Sequence, residues 1–142
     1  IALIGPVFRE VEAAALKLAE ERKNVVFLGE RKYDDLGGYL SSMDVCMIPL
    51  EANELRRLAD PNKLYEYAAA GRPIVTMAYS EYVESLDGLI YVAHSRGEFV
   101  DKIEEALGKN DDSEALREFA RARSWQSRAD EMTRLIDEAI RE

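Results

Sequence analysis

Lys63 and Glu66 are the residues whose types and spacing most directly suggest chemistry. They lie three apart in the stretch Asp60–Gly71, DPNKLYEYAAAG. Asp60 is a good N-cap, Pro61 suits the first helical position and Gly71 suits the stop, while Pro73 blocks continuation. A helix opens on unpaired N–H groups at the positive end of its dipole, so a lysine in the first turn is mildly unfavourable unless an anion joins it. A phosphate on those N–H groups, with Lys63 as a second counter-charge, would reverse that penalty. Glu66, on the same face as Lys63 and Ala70, is placed to accept charge-assisted hydrogen bonds from a pair of ribose hydroxyls. The same spacing also allows an exposed Lys63–Glu66 ion pair worth roughly a few tenths of a kcal/mol. Spacing alone leaves both readings open.

The elements that must position this helix are short apolar runs alternating with amphipathic segments. The runs are Ile1–Gly5, Val25–Gly29, Val45–Leu50, Ile74–Ala78 and Leu89–Ala93. Pro6 suits the opening of a first helix, with Val7, Val11, Ala14, Ala15 and Leu18 at helical spacing and Asn24 as its stop. Leu36, Leu40 and Met43 share a face of a second helix, which Gly37 and Gly38 weaken by about 1 kcal/mol each. Residues 51–59 read as a loop or a short irregular helix. Ser95 and Glu98 form a capping box for a helix with Phe99, Ile103, Ala106 and Leu107 as its buried stripe and Gly108 at its end. Ser113 starts another helix, and Trp125, Ala129, Met132, Ile136 and Ala139 step along a last one, with Trp125 expected in the core. The pattern predicts an α/β fold: a Rossmann-like, doubly wound, mostly parallel sheet of about five strands with helices on both faces. Ligands of such sheets bind at the carboxyl ends of the strands, where the Asp60–Gly71 helix follows the third strand and its long loop.

Composition bounds the rest. The 142 residues suit a single domain over 1–142. With 28 acidic and 19 basic residues the net charge is −9, which argues against a nucleic-acid partner. The 47% hydrophobic and 33% charged content reads as globular. One cysteine excludes an intrachain disulfide and a multi-cysteine zinc site. No apolar run approaches the ~18–20 residues of a membrane span. Free Cys46 and the lack of a signal peptide point to the cytoplasm, with membrane association of a longer protein left open. The chain opens without Met, directly in a strand-like run, and so reads as a piece of a longer protein.

DPNKLYEYAAAGRPIV resembles the signature P-x-K-x-x-E-Y-x-A-x-G-K/R-P-V/I-V of GT-B fold glycosyltransferases (group 1, glycosyltransferase 4-like), in their carboxyl-terminal, nucleotide-sugar-binding half. LIGPV, NVVFLGE, MDVCMIPL, EFVDKIEEAL and SWQSRADEM resemble further segments of the family in the same order, so the resemblance covers nearly the whole chain. It implies that the chain is most of the donor-binding half of an enzyme moving a sugar from a nucleotide-diphosphate sugar to an acceptor hydroxyl. The acceptor domain would be absent and the fragment inactive alone. Residue by residue, it implies that Glu66 binds the donor ribose, that Lys63 meets the donor phosphates with Asn62 beside it in the site, and that Gly29, Glu30 and Arg31 form the loop facing the nucleobase. The loop from Glu51 to Asp60 lies where relatives hold the sugar. No metal is expected, since no Asp-x-Asp motif occurs. Where many retaining members carry a second glutamate, eight residues before the ribose glutamate, this chain has Leu58, and neither Glu54 nor Asp60 has that spacing. Retention or inversion therefore stays open. The family's donor half normally begins one strand and helix earlier. In a sheet of order 3-2-1-4-5-6 that strand lies between those at Ile1 and Val45, so these two are expected to pair directly, or the gap to be filled by a second copy in a strand-mediated dimer.

Other residues carry blander readings. His94, the single histidine, is read as a surface or capping residue at a strand's carboxyl end. Cys46 is read as a buried small hydrophobe, and Tyr65, Tyr67, Tyr79 and Tyr82 as packing at the core edge. Asp34-Asp35 and Asp111-Asp112 are read as helix starts or solvated turns. The competing functional classes are a non-catalytic Rossmann-like interaction module, which Leu58 favours, and a nucleotide-sugar epimerase, for which one histidine is thin supply. A phosphorelay receiver lacks its paired acids, since Gly5-Pro6-Val7 occupies that place.

Overall fold

Each of the five apolar runs yields a strand, and every described ladder is parallel. The structure is a computed structural model describing residues 1–58, 60–109 and 113–141. In order come β1 (Ala2–Ile4), α1 (Arg9–Glu21), β2 (Val26–Gly29), α2 (Leu36–Ser41), β3 (Cys46–Ile48), α3 (Asn62–Ala69), β4 (Ile74–Met77), α4 (Glu81–Glu84), β5 (Tyr91–Ala93), α5 (Arg96–Gly108), α6 (Ser113–Ala122) and α7 (Trp125–Arg141). Single 3-10 turns lie at Tyr33–Asp35 and Arg56–Leu58. Asp111 and Asp112 lie outside the described residues. The chain forms two compact units, Ile1–Tyr39 and Leu40–Glu142.

In the smaller unit β1 pairs with β2 in the register Ala2–Val26, Leu3–Phe27 and Ile4–Gly29. The ladder closes where the Gly5 N–H donates to the Gly29 carbonyl at 3.0 Å. α1 begins at Arg9 behind an extended Phe8, not at Pro6. It ends at Glu21, short of Asn24. Asp34 and Asp35 sit in a 3-10 turn ahead of α2.

In the larger unit β4 is the central strand of a sheet ordered β3-β4-β5. Cys46, Met47 and Ile48 pair with Ile74, Val75 and Thr76, and Val75, Thr76 and Met77 pair with Tyr91, Val92 and Ala93. One face, with Ile48, Ile74 and Val92, packs on Leu64 and Ala68 of α3 and on Leu116, Phe119 and Ala120 of α6. The other face meets α5, which contacts β4 and β5. Burying each large aliphatic side chain of this kind stabilises the fold by about 1.5–3 kcal/mol. The one polar side chain inside β4, Thr76, keeps its hydroxyl 3.3 Å from the Ile48 carbonyl and 3.1 Å from that of Met77.

Two expectations are corrected. The five strands stand as a two-stranded and a three-stranded sheet, and no ladder joins β1 to β3 among the described residues. β1-β2 lies within the smaller unit and β3-β4-β5 within the larger, and a β1–β3 pairing is not among the described ladders. Trp125 is not in the core: it is 82% exposed, and α7 has no buried residue among those described. Its apolar stripe is real, but helical spacing does not supply a surface to cover it.

Gly71 ends α3 as expected. With φ +65° it closes a Schellman motif: its own N–H donates to the Ala68 carbonyl at 2.9 Å and the Arg72 N–H to that of Tyr67 at 3.2 Å. A Cβ at Gly71 would also come within 2.6 Å of the Arg117 guanidinium. Gly71→Ala is therefore expected to lower stability by about 1 kcal/mol or more. Gly97→Ala on α5, where a Cβ meets open space, should leave stability unchanged or raise it by up to about 1 kcal/mol. Urea unfolding of the two variants checks this, and equal midpoints would contradict it.

Candidate functional site

The helix α3 is set by what it buries. Leu64 and Ala68 are fully enclosed, which turns Asn62 and Lys63 to solvent and leaves Glu66 half-buried. It starts one residue later than expected: Pro61 is the N-cap and offers no side-chain cap. The Leu64 N–H donates to the Pro61 carbonyl at 3.0 Å. The N–H groups of Asn62 and Lys63 have no acceptor among the described residues. Lys63 and Glu66 do not form the exposed ion pair that their spacing allows, and neither side chain has a partner among the described residues. An ammonium, a carboxylate and two amide N–H groups without an acceptor among the described residues thus stand together within the first two turns of one helix, past the carboxyl end of β3. Such a set can hold an anion at the helix start and hydroxyl donors one turn on.

Asp60 does not cap α3 because other groups hold its carboxylate. The Tyr65 hydroxyl donates to Oδ1 at 2.6 Å, and Arg128 Nη2 donates to Oδ2 at 3.2 Å. The Tyr65 and Tyr82 hydroxyls are 3.0 Å apart, and the Tyr65 ring stacks on Phe119 at 5.8 Å between centroids. Burial first, then the hydrogen bonds to Asp60 and Tyr82, hold the Tyr65 hydroxyl protonated far above the ordinary phenol range. This network ties the start of α3 to α4 and to the α7 residue Arg128. Sequence reasoning missed it, since Asp60 and Arg128 lie 68 residues apart and nothing local links them.

The other candidates are placed as follows. Leu58 is 92% exposed at the end of a 3-10 turn. Glu51 accepts from Arg96 Nη2 at 2.6 Å, joining the loop after β3 to the start of α5, and this bond holds the Glu51 carboxyl below its usual range. His94 is exposed after β5, and its backbone N–H donates to Glu98 Oε2 at 2.8 Å. The Glu98 N–H in turn donates to Ser95 Oγ at 3.2 Å, so the expected capping box forms with its returning bond shifted to His94. Cys46 is buried, and burial, partly opposed by Arg72, pushes its thiol up to about 11, which suits packing and not nucleophilic attack. Gly29, Glu30 and Arg31 belong to the smaller unit, at the end of β2. Gly29 has φ +70°, and Arg31 donates from Nε to the Tyr39 hydroxyl at 2.8 Å and from Nη1 to the Glu30 carbonyl at 2.9 Å. Among the described residues no three of His, Cys, Asp and Glu converge as metal ligands, and no helix is long and apolar enough to cross a membrane.

The tyrosines pack at the core, as expected. Tyr79 is 1% exposed, and Tyr65, Tyr67 and Tyr82 pack against the same cluster. The Tyr79 hydroxyl has no hydrogen-bond partner among the described residues. Burial chiefly, then Asp60 and Tyr82, pushes it up to about 12. A phenol raised on folding stabilises the fold below its unfolded pKa, near ~10, and that stability is lost as pH climbs toward 12. Tyr79→Phe is therefore expected to cost nothing at pH 8, since a hydroxyl without a partner is removed, and to lose less stability than the parent between pH 9 and 11. Urea unfolding at each pH checks this; a loss above ~1 kcal/mol at pH 8, or an unchanged alkaline decline, would contradict it.

The arrangement described, parallel strands with helices around them, is that of a Rossmann-like α/β fold. A family model described as "Glycosyl transferases group 1" matches residues 1–109, and the chain belongs to that family. A relative from Bacillus subtilis (strain 168), provisionally named as the teichuronic acid biosynthesis glycosyltransferase TuaH, is 26% identical over 109 residues, which is 72% of this chain and 27% of that protein. The chain thus spans about a quarter of that relative's length.

Proposed function

We propose that this chain is the nucleotide-sugar-binding part of a glycosyltransferase that moves a sugar from a nucleotide-diphosphate donor to an acceptor hydroxyl. The observation that carries the reading is the start of α3. Lys63, Glu66 and the N–H groups of Asn62 and Lys63 are gathered there with no partner among the described residues. As the glycosidic bond to the donor nucleotide breaks, negative charge grows on the leaving diphosphate. The helix start and the Lys63 ammonium supply fixed counter-charge where it develops. Glu66, half-buried and one turn deeper, accepts from the ribose hydroxyls and fixes the nucleoside end of the donor. The acceptor and the catalytic base come from outside this chain. Assembly of a surface polysaccharide in the cytoplasm, on a nucleotide-sugar supply, is the role that fits, in line with the name of the relative.

Titration of the chain with UDP and GDP tests the reading. At least one should bind, and Lys63→Ala and Glu66→Ala should each weaken it by about tenfold, the worth of one charge-assisted contact. Absence of binding to any nucleoside diphosphate, with both variants indistinguishable from the parent, would contradict it and return the chain to the class of non-catalytic interaction modules.

A further inference from the structure

We propose that a cavity in the larger unit, lined by neither Lys63 nor Glu66, is a subsite for an oxyanion carried on a sugar, gripped by Arg57 and Arg123. The cavity has a volume of about 250 Å³ and is bounded by Arg57, Leu58, Asp60, Tyr82, Arg123 and Arg128 among others. Three guanidinium groups and one carboxylate therefore share its wall. Asp60 and Arg128 satisfy each other at 3.2 Å. Arg57 and Arg123 have no carboxylate partner among the described residues. In a chain of net charge −9, two uncompensated arginines on one cavity invert the local sign.

Neither arginine uses its guanidinium donors among the described residues. Arg123 lies 4.2 Å from the centroid of the Phe119 ring, which orients its plane by a cation–π contact. Arg57 sits in the 3-10 turn Arg56–Leu58. Asn53 pins that turn, accepting from the Arg56 N–H on its side chain at 2.8 Å and from the Arg57 N–H on its carbonyl at 3.0 Å. A guanidinium with its N–H fork free matches a carboxylate or phosphate in two-point fashion.

The surroundings indicate what carries the anion. An adjoining opening of about 490 Å³ shares Arg57, Leu58 and Tyr82 and adds Glu54 and Glu81. Two carboxylates at that mouth repel a polyanion and accept from neutral hydroxyls. The exposed Leu58 side chain and the Tyr82 ring offer an apolar surface to the C–H face of a pyranose. A ring bearing several hydroxyls and one anionic group satisfies both halves. A uronate carboxylate and a sugar phosphate share this chemistry.

Calorimetric titration of the 142-residue chain with glucuronate, glucose 1-phosphate and glucose tests the proposal. One or both anions should bind at least about tenfold more tightly than glucose. The tighter of the two identifies carboxylate or phosphate as the group read. Arg57→Gln and Arg123→Gln should each weaken the anion about tenfold, and Arg123→Lys less. Thermal melting confirms that each variant is folded. Arg57 is exposed, so its variant carries the test even if those at Arg123 unfold. Equal affinity for glucose and both anions, no binding of either anion, or full affinity in both glutamine variants overturns the proposal.

Discussion

Strand β4 is the constraint on which the larger unit depends. Its Val75 and Thr76 pair with both β3 and β5, and Ile74, Val75 and Thr76 are fully buried. Such a strand leaves no backbone group for solvent, and its parallel pairing forces all three strands to end at the same edge. The segments that leave that edge, after Ile48, after Met77 and after Ala93, are the ones holding Lys63, Asp60, Ser80, His94 and Ser95. The core thus decides where polar residues gather before any of them is chosen for chemistry.

The helix α3 shows how that decision reaches individual side chains. Leu64 and Ala68 are locked between the sheet and α6, and Gly71 stops the helix by a backbone conformation that other residues adopt only under strain. With both ends fixed, the rotation of α3 is fixed, and Lys63 and Glu66 take their places as a consequence. Asp60, which could have capped the helix, is instead drawn into hydrogen bonds with Tyr65 and Arg128. The result is a helix start whose first amides have no acceptor among the described residues, an arrangement that favours an anion.

Much of this was legible in the sequence. The strands were written as unbroken apolar runs and appear within two residues of their expected limits. The glycine stop, the Ser95 cap and the buried cysteine follow from local chemistry. What was not legible depends on distant partners. Asp60 looks like an N-cap until Arg128 is brought beside it, and Trp125 looks like core until no surface covers it. The separation of the strands into two sheets was equally hidden, because periodicity reports which face of a strand is buried and not which strand lies alongside. At the site, the type and spacing of Lys63 and Glu66 were visible, but not whether they would pair with each other. The arginines at 57 and 123 gave no signal, since a cavity is made by tertiary packing.

The central claim is that the open start of α3 receives the diphosphate of a nucleotide donor. Backbone amide resonances report on it directly, because the free N–H groups themselves would become the hydrogen-bond donors. On addition of a nucleoside diphosphate, the account predicts saturable downfield shifts of the Asn62 and Lys63 amides at a common midpoint. Saturable shifts confined to other amides, with Asn62 and Lys63 unmoved, would contradict it.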